Sequence, residues 1–189
     1  MRAYERLLDY VRVYTTSDPE SGTHPSAARE FDLAHKLVEE LKVLGVEDAR
    51  VDEHCYVYGS LPATPGCEEK PALGLIAHMD TAPDASGANV KAKVVAYDGG
   101  DVCLNEEKGI FLREADYPSL KNHVGKHLIV TDGTTLLGAD DKAGVAEIMM
   151  AAQQLLAMGG RHATLKIGFT PDEEIGRGAD RFDVKGFGA

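Results

Sequence analysis

The sequence predicts an α/β fold, a three-layer sandwich in which a mixed, mostly parallel sheet is flanked by helices. Two observations carry this expectation. Segments of helical and of strand-like apolar spacing alternate along the 189 residues, a pattern that stacks helices on a sheet. In addition, three motifs rich in acids or imidazole each follow an apolar run: Ala77-His78-Met79-Asp80, Leu137 to Gly144, and Thr170 to Glu174. If those runs are neighbouring strands, a histidine and several carboxylates reach one sheet edge, where open α/β sheets place their chemistry.

The elements follow in order. Tyr4, Leu7, Leu8 and Val11 recur at helical spacing and predict a helix near residues 2–14, ended by the turn formers of Thr15 to Pro25. A second helix takes Ser26 as N-cap, Phe31, Ala34, Leu37, Val38, Leu41 and Leu44 as its apolar face, and Gly45 as its stop. Cys55 to Leu61 reads as a strand and Pro62 to Lys70 as a loop. Ala72 to Ala77 has no polar face, as a central strand covered on both sides requires. Val90 to Tyr97 and His127 to Val130 are further strands, Val145 to Met158 is a helix closed by Gly159-Gly160, and Ala163 to Thr170 is a last strand.

Composition excludes several classes of partner. With 43% hydrophobic and 27% charged residues the chain is ordinary globular protein, and its net charge of −11 gives no grip on phosphate backbones or anionic membranes. Neither nucleic acid nor a membrane is an expected partner. No apolar run approaches the roughly 20 residues of a membrane-spanning helix. Cys55, Cys67 and Cys103 form no CxxC pair and the first residues are charged, so a reducing cytoplasm is the expected location.

A lone strand-end histidine is more often packed or hydrogen-bonded than metal-bound, but Asp80 changes the weighting for His78. Side chains two apart on a strand share a face, so Asp80 is placed to bond the ring nitrogen that does not face a metal. Asp140 and Asp141 are equally at home as caps of the following helix. Capping needs only one of them, however, and Gly138 and Gly144 suggest a special turn. Asp172-Glu173-Glu174 is either a solvated acidic loop or an acidic sheet edge pinned by Pro171; neighbours in extended chain point opposite ways, which gives Glu173 and Glu174 different tasks. Carboxylates this close take up protons or require a cation. Lys142 and Arg177 are too few to neutralise them, and a His-plus-carboxylate set suits zinc, or less specifically manganese or cobalt.

The motifs His78 to Thr81, Thr131 to Gly144 and Phe169 to Gly178 resemble those of the peptidase T group, the tripeptide aminopeptidases within the M20 family of dinuclear zinc peptidases. The resemblance runs from the first helix to the final residue and implies that residues 1–189 are the N-terminal portion of the catalytic domain. It implies further that His78 is a ligand of one zinc, Asp140 the carboxylate bridging two, Glu174 a ligand of the second, Glu173 the general base and Asp80 the residue orienting His78. A cis peptide is implied after Asp140. Members of the group continue past this length with another acidic ligand, a lid and dimerisation domain and a late histidine. Two zinc ions, short peptides as substrates, and self-association through apolar surface that the missing layers would cover are the matching expectations. The alternatives left open are a non-catalytic α/β metal-binding relic, and another M20 activity such as a dipeptidase or carboxypeptidase.

Overall fold

The computed structural model describes residues 1–189. Helix α1 (Ala3–Tyr10) precedes α2 (Glu30–Leu44), and strands β1 (Arg50–Val51), β2 (Val57–Leu61), β3 (Leu73–His78), β4 (Lys93–Tyr97), β5 (Val102–Asn105), β6 (Ile110–Leu112) and β7 (Lys126–Val130) follow. Helix α3 (Ala139–Met158), strand β8 (Leu165–Thr170) and the short α4 (Val184–Phe187) complete the chain. No helix is long and apolar enough to cross a membrane.

Two helix starts and stops differ from expectation, for the same reason: the chain between α1 and α2 serves the site. Helix α1 ends at Tyr10 because residues 15–17 run alongside the continuation of β3. Thr81 N donates to Thr15 O at 3.2 Å, Ser17 N to Thr81 O at 3.1 Å, and Thr15 Oγ1 to Met79 O at 2.8 Å. Ser26 is not the cap of α2, which begins four residues later at Glu30. Its backbone N–H donates to the Asp172 carboxylate and its hydroxyl accepts from Asp18 N, so neither is available to a helix terminus. At the other end of α2, Gly45 takes the left-handed φ of 103° and closes the helix as its sequence position implies.

The main sheet is mixed, with strand order β1-β2-β8-β3. Its parallel share is smaller than the sequence suggests. Only β3 and β8 run parallel, in register from Leu73 opposite Leu165 to His78 opposite Thr170, while β1–β2 and β2–β8 are antiparallel. Nor are the three motif-bearing runs neighbours in one sheet: β7 pairs with β4 in a separate antiparallel ribbon. Strand β3 is an edge strand rather than a covered central one, and Leu73 and Ile76 are each 54% exposed.

Alternation along β8 divides the sheet's faces. Leu165, Ile167 and Phe169 join Val57 and Leu61 of β2 in one core with Leu7 and Tyr10 of α1, Leu33, Leu37 and Leu41 of α2, and Val145 and Met149 of α3. Each large side chain wholly removed from water here contributes on the order of 1.5–3 kcal/mol. Close approach of the turn that follows α2 requires Gly59 in β2, where a Cβ would lie 2.9 Å from Val46 Cγ1. The opposite face is covered thinly. Phe182 and Phe187 sit over Gly168, whose added Cβ would lie 3.2 Å from either ring, and the two rings meet edge to face with centroids 5.0 Å apart. The third layer is thus reduced to the segment around α4.

Candidate metal centre

The parallel pair β3–β8 delivers His78 and the Asp172-Glu173-Glu174 turn to the same end of the sheet, because His78 and Thr170 are register partners. The third contribution arrives from a loop and the start of a helix: residues 131–138 lead from β7 to Gly138 at φ 76°, after which Asp140 and Asp141 have non-helical angles and are joined by a cis peptide. His78, Asp140 and Glu174 offer ligand atoms that all lie within 4.8 Å of one another. Asp80 and Glu173, each within 3.6 Å of the His78 ring, stand at the same locus.

The two aspartates divide their roles. Asp141 Oδ1 accepts from Gly144 N at 3.1 Å, the bond of a helix cap. Asp140 is left with its side chain 86% exposed and Oδ1 3.0 Å from His78 Nε2. Glu173 and Glu174 also diverge, though not by strand alternation: they occupy one turn of 3₁₀ helix, Glu173–Ile175, preceded by Asp172 at a left-handed φ of 57°. Glu174 lines a cavity with Thr81, Leu136 and Asp140. Glu173 borders a groove of about 400 Å³ with Ile76, Thr170 and Phe182, and its Oε2 is 3.6 Å from His78 Nε2.

Asp80 is the hub. Fully buried, it accepts from Ser17 Oγ at 2.5 Å, from Glu173 N at 3.0 Å and from Glu174 N at 3.1 Å. Its Oδ1 lies 3.3 Å from His78 Nδ1, and its carbonyl oxygen is 3.1 Å from the same nitrogen. Nδ1 is therefore occupied from below and Nε2 is presented to the carboxylates. Burial alone lowers the basicity of His78, but the hydrogen bond and charge of Asp80, with Asp140 and Glu173 beyond, outweigh it and raise the imidazole to about 9. For Asp80, burial works to raise the pKa, and the bonds from His78, Ser17 and the Glu174 amide prevail and lower it. Glu174 is raised, first by burial and then by the neighbouring carboxylates against the pull of His78.

Neither nearby cation relieves this negative charge. Lys142 is 1% exposed and donates to Val13 O at 2.8 Å. Burial lowers it to about 8 against the opposing charge of Asp80. Arg177 bonds Thr23 O and Asp180. An imidazole with its outer nitrogen aimed at two carboxylates, and no ammonium or guanidinium among them, is a donor set that fits a divalent cation. Sequence reasoning missed Ser17, hidden among turn formers, and Glu30, whose Oε2 accepts from Asp172 N at 3.2 Å. No local signal marks either, since both act through contacts distant in sequence.

No protein-family model matches the chain. It is 56% identical over 188 residues to peptidase T of Alkaliphilus oremlandii, covering 98% of this chain and 46% of the relative. Against peptidase T of Desulfitobacterium hafniense strain Y51 it is 57% identical over 187 residues, 98% of this chain and 45% of the relative. A crystal structure of a tripeptidase from Staphylococcus aureus superimposes with a TM-score of 0.64 at 25% identity, over 96% of this chain and 39% of that one. An aminopeptidase PepT from Bacillus cereus shares the fold, with a TM-score of 0.67 at 24% identity over 100% of this chain and 41% of that one. The chain is thus homologous, over 98% of its residues, to proteins named peptidase T, and it spans 45% to 46% of the length of those relatives.

Proposed function

We propose that this chain is the N-terminal portion of the catalytic domain of a cytoplasmic zinc aminopeptidase that releases the N-terminal residue from tripeptides. The observation that carries the reading is the convergence of His78, Asp140 and Glu174 within 4.8 Å, at the sheet end where the motifs that resemble the peptidase T group stand. His78 Nε2 and Asp140 would hold one zinc and Asp140 with Glu174 a second, Asp140 bridging them. Bound there, zinc supplies Lewis acidity: it brings the pKa of water from 15.7 down to about 7 and polarises a carbonyl. Glu173, 58% exposed at its side chain and with Oε2 3.6 Å from His78 Nε2, takes the proton of the attacking water at its carboxylate and returns it to the leaving amine. Asp80 holds Nδ1 of His78, which fixes the tautomer that leaves Nε2 free. The backbone amides of Glu173 and Glu174, bound to Asp80, keep the base and the ligand on one rigid turn.

The ligands in this chain number fewer than the three protein donors usual at each catalytic zinc. That favours one competing reading, a metal-binding α/β domain without turnover of its own. Zinc titration of the chain, followed by incubation of the longer protein that this reading implies with a free tripeptide and its N-acetylated form, separates the outcomes. Zinc binding that is lost in Asp140→Asn, with cleavage of the free peptide alone, is expected of the aminopeptidase. Bound zinc without cleavage supports the competing reading. A folded chain that takes up no zinc removes the metal site, and equal cleavage of the acetylated peptide removes the aminopeptidase.

A further inference from the structure

Behind the turn that carries Glu173 and Glu174 lie two acids that the proposed chemistry does not use. Glu30, the first residue of α2, and Asp172 are both 0% exposed. Neither has a lysine or arginine partner. Glu30 Oε1 accepts from Ala27 N at 3.2 Å and from Ser26 Oγ at 3.4 Å, and Oε2 accepts from Asp172 N at 3.2 Å. The Asp172 carboxylate accepts Ser26 N through both oxygens, at 3.1 and 2.8 Å. His24 Nδ1 is 3.1 Å from Asp172 Oδ2 but is not aligned for a hydrogen bond, and burial lowers the basicity of its ring. A neutral imidazole does not offset the charge.

Burial, followed by the charges of Asp172 and Asp80, pushes Glu30 up to about 9. Asp172 is also the residue whose left-handed φ of 57° turns the chain out of β8, and its carbonyl accepts Arg177 N at 2.9 Å on the far side of the turn. The next two amides enter Asp80, which holds His78. A continuous set of bonds therefore runs from the start of α2 to the imidazole.

We propose that Glu30 and Asp172 are positioning residues for the metal site, a buried pair whose accepted backbone hydrogen bonds clamp the turn presenting Glu173 and Glu174. Glu30 acts through an oxygen that accepts Asp172 N, and its amide analogue keeps one such oxygen. The role given to Glu173 and Glu174 rests on the proposed peptidase site, but the clamp itself does not need metal to be observed.

Amide hydrogen exchange of the metal-free chain tests it, beside zinc affinity. In Glu30→Ala the amides of Glu173 and Glu174 should exchange at least tenfold faster than in the parent while those of β8 and α2 stay protected, and zinc affinity should fall at least tenfold. Glu30→Gln should restore both to within about threefold, which a role in bulk folding alone does not require. Asp172→Gly, which accepts the left-handed angle freely but has no carboxylate, should behave as Glu30→Ala. Unchanged exchange at Glu173 and Glu174 in Glu30→Ala or Asp172→Gly overturns the clamp. Should Glu30→Ala fail to fold, Asp172→Gly decides: unchanged exchange at Glu173 and Glu174 overturns the clamp, and exchange tenfold faster there with β8 and α2 still protected supports it. A parent chain that binds no zinc overturns the peptidase reading, and the exchange data still judge the clamp.

Discussion

At the scale of single residues the proton inventory of the site sets its pH behaviour. With His78 raised to about 9, a metal that takes Nε2 must displace a proton throughout the neutral range. Apparent zinc affinity should therefore climb about tenfold for each pH unit between 6 and 8 and level off above 9, a trend that competition titrations with a chromophoric chelator will show or refute. Stability of the metal-free chain should run the other way. His78 is raised from 6.5 to about 9, so its contribution is complete below pH 6.5 and is lost as pH rises through 9. Glu30 is raised from 4.5 to about 9, so its contribution is complete below pH 4.5 and is lost over the climb to 9. Lys142, depressed from 10.5 to about 8, gains stability only above pH 8. Between pH 5 and 8 the net slope is negative, at most about 1.4 kcal/mol per pH unit for each proton. Urea midpoints should fall across that window, and Glu30→Gln should flatten the part due to Glu30. A midpoint that rises from pH 5 to 8 would contradict both assignments.

At the scale of elements, α3 shows which periodic signals translate into packing. Its buried positions, Val145, Ala146, Met149 and Ala152, recur every three to four residues, while Met158 at its end is 80% exposed. Met149 is 0% exposed in the core, so Met149→Ala should lower unfolding stability by about 2–5 kcal/mol, and Met158→Ala by less than about 0.5 kcal/mol. Equal losses from the two, measured by urea unfolding, would mean that α3 does not pack as described. The same periodicity is why α2 and α3 were legible in the sequence, with Gly45 and Gly159 as their stops. The three acid- or imidazole-bearing motifs were legible because each stands at the exit of an apolar run, where a polar side chain has no packing role, while the choice of Asp140 over Asp141 and of Glu174 over Glu173 rested on the family resemblance. What the sequence hid was pairing. An unbroken apolar run such as Ala72 to Ala77 reads alike at a sheet's centre and at its edge, so the edge position of β3 and the antiparallel partners of β2 had no local mark. Ser26 looked like a cap because serine before an apolar face usually is one; its bond to Asp172 depends on a residue 146 positions away.

At the scale of the whole molecule, one edge of the main sheet and much of one face stand open. Strand β3 has no strand on its outer side, and unpaired backbone groups at an edge invite pairing with another chain. Beside it the face opposite the helices presents Ile76, 54% exposed, and Val184, 75% exposed, around the groove bordered by Phe182. In relatives more than twice this length there is further chain, yet within the 189 residues only the segment around α4 covers that face. Apolar surface next to a free edge is a self-association site by the same physics that builds a core. Sedimentation equilibrium should accordingly give an apparent mass above the 20.3 kDa of one chain, rising with concentration through the micromolar range. Ile76→Lys adds a charge to both the edge strand and the exposed face. It should return the mass to that of a monomer while leaving zinc binding within about threefold of the parent, since Ile76 is not among the ligands. A parent chain that remains monomeric up to the highest soluble concentration would show that the edge is protected, and an Ile76→Lys variant that still associates would move the contact elsewhere.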